Sequence, residues 1–366
     1  MKIIYCIPSL HNSGGMERVL TLKVNYLVKK INYDITILTY TSNENIFFNL
    51  DKKVKVVNIS NSYMKLYFDI FNFIKDNKPN YFISLGGKDR FILPFIKDKN
   101  IKTILEWHFS YTTPIRIIES KKGNIFSKKK ALMKMFFNTI IPKYCDAFVV
   151  LTEKDKKLWE KSDINNISVI PNPCTFEDQN ERKKHLFKDN EILNFINIGR
   201  LDYQKGLFDL VEIFYRLKDI SSKWKLNIYG DGPLKKLLLE KINSLGLSKN
   251  ISIHKPTRNI YDIYRASDCF VMSSYYEGLP MVLIESLYFS LPIISFDCDC
   301  GPSDIVHNNI NGYLIKRRSI EDYSNSIRYL IDNRNKLKEF SNNSKELSNK
   351  YFIDNIMSLW INLLKK

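Results

Sequence analysis

Short apolar, β-branched runs alternate with longer amphipathic stretches along almost the whole chain, and no other feature limits its fold as tightly. A strand covered by helices on both faces reads as a continuous apolar run. Its repeated alternation with helical pattern is the sequence form of βαβ units on a mostly parallel sheet. The runs predict strands at 2–7, 34–40, 54–59, 80–85, 101–106 and 146–151. Behind the first of them, Leu20, Val24, Leu27, Val28 and Ile31 fall at i, i+4, i+7, i+8 and i+11, one face of a helix. The pattern pauses at Pro171-Asn172-Pro173 and in the polar stretch Glu177 to Asn190, which reads as a linker. A second series predicts strands at 192–198, 225–229, 251–253, 268–272 and 292–296. The expectation is an α/β protein of two doubly wound, Rossmann-like domains facing across a cleft, residues 1–175 and 190–350. With 366 residues and 44% apolar content, each half can own a core.

Composition narrows the partners without choosing one. Fifty-six Lys and Arg against 39 Asp and Glu leave a net charge of +17, which favours a phosphorylated ligand, an anionic membrane surface or nucleic acid. Abundant Lys, Asn and Ile point to a compositional bias that accounts for part of that excess. The 6 cysteines are scattered, with no CxxC pair and no histidine at zinc-ligand spacing, so neither a disulfide framework nor a structural metal is expected and a reducing cytoplasm fits. The opening apolar run meets Pro8 too early for a secretion signal. No run approaches the roughly 18 to 20 apolar residues of a spanning helix, so the expectation is a cytoplasmic protein that at most rests on a membrane face.

Three loops behind strands carry the chemistry. The first reads His11-Asn12-Ser13-Gly14-Gly15-Met16-Glu17-Arg18. Its paired glycines either serve a turn that needs their backbone angles or let N–H groups approach a phosphate at a helix N-terminus. The second, Asn197-Ile198-Gly199-Arg200-Leu201 followed by Lys205-Gly206, places two cations five residues apart. A planar guanidinium fork and a movable ammonium suit a diphosphate, the alternative being a solvated surface pair. The third runs from Ser273 to Glu285 through Glu277-Gly278-Leu279-Pro280. Glu277 and Glu285 are eight apart, so both can sit on one face at the start of a helix. Acids kept among apolar residues need hydrogen-bond donors, and sugar hydroxyls are natural ones. A helix dipole explains Glu277 but not Glu285.

Taken in order, Gly14-Gly15, Val169-Ile170-Pro171-Asn172, Gly199-Arg200-Leu201 through Lys205-Gly206 and Glu277-x7-Glu285 resemble the retaining family-4 glycosyltransferases of the GT-B fold over nearly the whole chain. The resemblance implies a nucleotide-sugar donor, UDP-linked, held by the second domain, with Arg200 and Lys205 on its diphosphate and Glu285 on the ribose. It implies that Glu277 accepts from the donor sugar, helped by the N–H groups of Gly278 and Leu279, and that Gly15 brings backbone amides near the diphosphate. His108, in Glu106-Trp107-His108, resembles the histidine beside the donor sugar, against an ordinary loop histidine. It further implies that no metal or other cofactor is needed and that the helix over 351–366 packs back on the first domain. Leu279 stands where the family often has Phe, which leaves the donor sugar open.

Asp297-Cys298-Asp299 matches the DxD manganese motif of the other large glycosyltransferase fold, but three-residue matches are common and it is read as one. Cys298-x-Cys300 is read as loop packing, Ser303 as a helix cap and Gly230-Asp231-Gly232-Pro233 as a structural turn. Between Arg116 and Lys143, Lys121, Lys122, Lys128, Lys129, Lys130 and Lys134 stand among Phe126, Leu132, Met133, Met135, Phe136, Phe137, Ile140 and Ile141. Such a helix either lies on an anionic bilayer or packs on the first domain behind a solvated lysine face. The resemblance to enzymes of polysaccharide, O-antigen and capsule assembly favours a glycan or polyprenyl-linked glycan acceptor at the inner membrane face, and no nucleic acid. Two other classes remain: a non-hydrolysing UDP-sugar 2-epimerase on the same fold, and a non-catalytic basic protein of membrane surfaces.

Overall fold

Every ladder in the two sheets is parallel, so each strand returns through a crossover that covers a face of its sheet. The structure, a computed structural model, describes residues 1–366 except 13, 42–44, 61, 121–123, 177–190, 258 and 366. The predicted linker from Glu177 to Asn190 lies outside the described residues.

The first sheet comprises β1 (Lys2–Ile7), β2 (Asp34–Thr39), β3 (Lys55–Asn58), β4 (Tyr81–Ser84), β5 (Lys102–Trp107), β6 (Ala147–Val150) and β7 (Ile167–Val169), in the order β3-β2-β1-β4-β5-β6-β7. The second comprises β8 (Leu193–Ile198), β9 (Trp224–Tyr229), β10 (Ile251–His254), β11 (Cys269–Met272), β12 (Ile293–Asp297) and β13 (Gly312–Lys316), in the order β10-β9-β8-β11-β12-β13. In both, the chain winds outward one way and then the other. The strand order therefore reverses between β1 and β4 and between β8 and β11, and loops behind those strands open the crevice where such sheets take ligands. Strands β7 and β13 were not predicted. Both are edge strands, only partly buried, and lack the continuous apolar run of the central ones.

Two units divide the chain: Met1–Tyr111 with Lys129–Thr175 and Ile353–Lys366, and Thr112–Lys128 with Phe176–Phe352. In the first, the strand period of two sends Ile3, Tyr5 and Ile7 into one core and Ile4 and Cys6 into the other. Leu20, Val24, Leu27 and Val28 of the helix Gly15–Ile31 fill the former, as their spacing predicts. The terminal helix Ile353–Leu364 adds Ile356, Met357, Trp360 and Leu364 to that same core, and the Tyr81 hydroxyl donates to the Leu364 carbonyl at 2.8 Å. In the second unit, Phe195, Leu226, Ile228 and Val271 from the strands pack with Leu210, Val211 and Phe214 from the helix Leu207–Tyr215. The segment Thr112–Lys128, read from sequence with the first domain, clusters with the second unit, where Thr112 and Arg116 bind Asp299.

Candidate functional site

Behind β8, the chain makes a short turn over Tyr203–Lys205 and closes it at Gly206, whose φ of +59° is left-handed. A Cβ there would stand 2.1 Å from the Ser273 carbonyl, so glycine lets this turn lie directly on the loop behind β11. The Ser273 hydroxyl donates to the Lys205 carbonyl at 2.9 Å and the Tyr275 amide to the Gln204 carbonyl at 2.8 Å. These contacts bring two loops, far apart in sequence, to one place at the switch point of the sheet.

Their side chains complete the join. Lys205 Nζ lies 2.7 Å from Glu277 Oε1, with both side chains largely buried. Gln204 Nε2 donates to the Tyr276 carbonyl at 3.0 Å and to Glu277 Oε2 at 3.4 Å, while its Oε1 accepts from Arg200 at 3.3 Å. Arg200 also pairs with Asp202 at 3.1 Å but keeps its side chain 74% exposed. An exposed guanidinium, a tethered ammonium with N–H donors to spare, and a carboxylate thus share one loop pair. Gln204 ties them together, and sequence reasoning passed over it.

Glu277 is not on a helix. The helix behind it runs Met281–Tyr288, with Pro280 as its N-cap, so the shared helical face expected for Glu277 and Glu285 is replaced by a loop acid and a helix acid. Glu285 is buried and accepts from the Tyr264 hydroxyl at 2.8 Å. Tyr264 stacks on Phe289, and Phe176 packs against both. Gly278 and Leu279 form the loop just before Pro280, with Leu279 buried. Gly301, at φ +91°, presses on this loop, since a Cβ there would stand 2.4 Å from the Gly278 carbonyl. That glycine, not Ser303, is the N-cap of the helix Pro302–Ile305, and Pro302 takes its first position. Gly230 and Gly232 likewise sit against the backbone of Gly199 and Leu201, with Leu201 donating to Asp231 at 2.8 Å, which makes Gly230-Asp231-Gly232-Pro233 a buttress of the Arg200 loop.

The DxD acids part company. Asp299 accepts from the Thr112 hydroxyl at 2.6 Å and from the Arg116 guanidinium through both Nε and Nη2, the latter at 2.7 Å. Burial pushes the Asp299 carboxyl up, but the Arg116 fork and the Thr112 hydroxyl outweigh it and hold the group below its ordinary value. All six cysteines are buried thiols outside any disulfide, and Cys298 approaches the Cys300 carbonyl, as loop packing requires. Among the described residues no group of three or more His, Cys, Asp or Glu is placed to hold a metal ion.

Gly15 and His108 belong to the first unit. Gly15 opens the helix Gly15–Ile31 with Gly14 as N-cap at φ −74°, and neither has a positive φ, so left-handed backbone angles do not explain the glycine pair. At Gly14 a Cβ would stand 2.3 Å from Glu17 Oε2, the movable end of a side chain, so packing there does not by itself demand glycine either. His108 follows β5, and its Nε2 lies 3.1 Å from Glu106 Oε1. Glu106 in turn meets Lys23 at 2.5 Å. Sequence reasoning missed this pair although it left a trace: a lysine on the apolar face of the first helix and a glutamate inside an apolar strand.

Lys121 and Lys122 of the basic stretch lie outside the described residues. The helix Ile125–Asn138 buries only Ala131, Met135 and Asn138, at i, i+4 and i+7. Phe126 is 77% and Phe136 66% exposed, beside exposed Leu132, Met133 and Phe137. No helix of the described residues is long and apolar enough to cross a membrane.

Residues 177–347 match the family model for glycosyl transferases group 1. The chain is 32% identical over 375 residues to the amylovoran biosynthesis glycosyltransferase AmsD of Erwinia amylovora, covering 99% of each. It is 29% identical over 376 residues to a Campylobacter jejuni α-1,4-N-acetyl-D-galactosaminyltransferase named for an undecaprenol-diphosphate-linked glycan, covering 100% of this chain and 98% of that one. Its fold is similar to that of a mutant of S. aureus TarM solved with fondaparinux, alpha-GlcNAc-glycerol and UDP, with a TM-score of 0.78, 17% identity and 100% of both chains covered.

Proposed function

The chain belongs to the glycosyl transferases group 1 family, with the GT-B fold, and from that premise we propose that it moves a sugar from a UDP-linked donor to a lipid-linked glycan, with retention at the anomeric carbon and without a divalent metal. One observation carries the reading: the Lys205 ammonium, 2.7 Å from Glu277 and beside the exposed Arg200, stands at the carboxyl ends of β8 and β11 where the strand order reverses. Arg200 and Lys205 take the diphosphate, and Glu285 takes the ribose hydroxyls. Glu277 accepts from the donor sugar, with the Gly278 and Leu279 amides beside it. In the first unit, Gly15 is the residue proposed to bring backbone amides to the donor and His108 the one proposed for the sugar.

Breaking the bond from the anomeric carbon to phosphate leaves a nucleoside diphosphate and an oxocarbenium-like sugar. Fixed cations at the departing oxygens lower that barrier because they need no rearrangement as charge develops. The acceptor oxygen bonds to the anomeric carbon on the face the phosphate quits, and the leaving phosphate takes the acceptor proton. The glutamates bind and orient; neither is a nucleophile or general base.

The relatives' names support a surface-polysaccharide or lipid-linked acceptor. The exposed aromatic and aliphatic side chains of Ile125–Asn138, among Lys128, Lys129, Lys130 and Lys134, support contact with the anionic inner face of the membrane. The test is transfer from UDP-sugars to polyprenyl-diphosphate-linked glycans in EDTA, with the product anomer read by proton NMR. Retained configuration without metal is expected. An inverted anomer, or full loss of activity restored by manganese, contradicts the mechanism. A free epimer released from donor alone would mark the epimerase.

A further inference from the structure

We propose that Glu106 is a positioning residue: clamped by Lys23, it keeps the ring proton of His108 on Nε2 and leaves Nδ1 as the acceptor of the neutral imidazole. Lys23 and Glu106 are each 1% exposed and 2.5 Å apart. The ammonium also lies over two aromatic faces, 4.0 Å from the centroid of the Trp360 ring and 5.6 Å from that of Tyr5. Taking two charges out of water is costly, and apolar residues of similar volume often hold a core as well. The pair therefore calls for a purpose beyond stability, and its geometry supplies one.

Lys23 occupies Oε2, which leaves Oε1 turned to His108 Nε2 at 3.1 Å. That nitrogen is sealed from solvent and makes no hydrogen bond of good geometry, so the carboxylate 3.1 Å away acts on it through charge–dipole attraction rather than a formed hydrogen bond. Burial pushes the Glu106 carboxyl up, but the Lys23 ammonium above all pulls it down, to about 2, so it stays an anion at any physiological pH. A carboxylate only accepts, and a bare nitrogen lone pair held against it would be repelled. The proton therefore sits on Nε2. The inference rests on the reading of His108 as the group beside the donor sugar, but it can be tested with no substrate present.

Glu106→Gln reverses the hydrogen-bonding demand on the ring. Lys23 is a donor only, so it takes the amide oxygen and turns the NH2 toward His108, which must then accept on Nε2 and carry its proton on Nδ1. Ring-nitrogen shifts of the full chain labelled with 15N-histidine are recorded at about pH 8.5, about two units above the ordinary imidazole pKa. His108→Asn identifies the His108 signals among the 5 histidines. Nε2 protonated in the wild type, with the tautomer reversed in Glu106→Gln, is expected. An unprotonated Nε2 in the wild type overturns the proposal even if the variant fails to fold, as does an unchanged tautomer in a folded variant. Glu106→Gln should also lower kcat by about 10- to 100-fold with UDP affinity unchanged, the penalty of a misoriented group. A chain with the predicted tautomer but no transfer activity would instead count against the proposed function alone.

Discussion

Glu285 joins a contact within the fold to the ligand role proposed for it. Its carboxylate is buried against the Tyr264 hydroxyl, a donor packed among Phe176 and Phe289. Glu285→Ala should weaken UDP binding by about 1.5 to 3 kcal/mol, the worth of charge-assisted hydrogen bonds, and also lower the melting temperature because the Tyr264 hydroxyl loses its acceptor. Titration calorimetry reads the first effect and calorimetric unfolding the second; wild-type UDP affinity in the variant would remove the ribose role. Asp89 makes a separate prediction. Burial raises its carboxyl to about 6, and Oδ2 has no hydrogen-bond partner while Oδ1 accepts from Tyr40 at 3.1 Å. The native chain holds this proton up to about pH 6, whereas the unfolded chain releases it near about 4. Between those values the native state binds more protons, so stability falls as pH rises through the window. Asp89→Asn should abolish that fall, a gain on the order of 2 kcal/mol relative to wild type between about pH 4 and pH 7, read by urea unfolding at both. An equal pH slope in both proteins would contradict it. The placement of Arg200 and Lys205 behind a strand was legible at this scale because cations there stand out. Gln204, Lys23 and Asp89 were not singled out, since their roles come from neighbours 49 to 83 residues away.

At the scale of elements, every central strand announced itself, whereas of the four edges β3 and β10 did and β7 and β13 did not, because only central strands need apolar side chains on both faces. Glu277 was misplaced onto a helix for a similar reason. The spacing to Glu285 fits a helical face, but Pro280 starts the helix three residues later, and the loop is held instead by Gly206 below and Gly301 behind. The helix Ile125–Asn138 leaves much of its apolar surface uncovered. Three buried positions anchor it, while Phe126, Leu132, Met133, Phe136 and Phe137 face solvent among lysines. Replacing Phe136 and Phe137 by Ser should reduce binding to vesicles containing phosphatidylglycerol by about 10-fold or more, at roughly 25 cal/mol for each Å² of apolar surface withdrawn from lipid. Flotation assays measure it. Binding unchanged by the double substitution, or equal on neutral vesicles, would set the membrane contact aside.

For the whole molecule, the recurring device is the reversal of strand order. In the second sheet it gathers the loops of β8 and β11, and with them Arg200, Lys205 and Glu277. In the first it opens behind β1 and β4, with the helix N-terminus at Gly15 behind β1, while His108 follows the adjoining β5. That arrangement was legible early, because alternation of strand and helix dictates parallel sheets and parallel sheets dictate where loops converge. What spacing could not supply was the partner of each charge. Lys205 holds Glu277, Arg116 holds Asp299 and Lys23 holds Glu106, and each pairing emerges only once the sheets are formed.

The account depends on the β8 cations gripping a diphosphate, and titration calorimetry of UDP against uridine tests it most directly. The Arg200→Ala/Lys205→Ala double variant should lose about 100-fold or more in UDP affinity, as expected for two charge-assisted contacts of roughly 1.5 to 3 kcal/mol each, and keep wild-type affinity for uridine. UDP bound equally well by the folded double variant and the wild type would contradict the account.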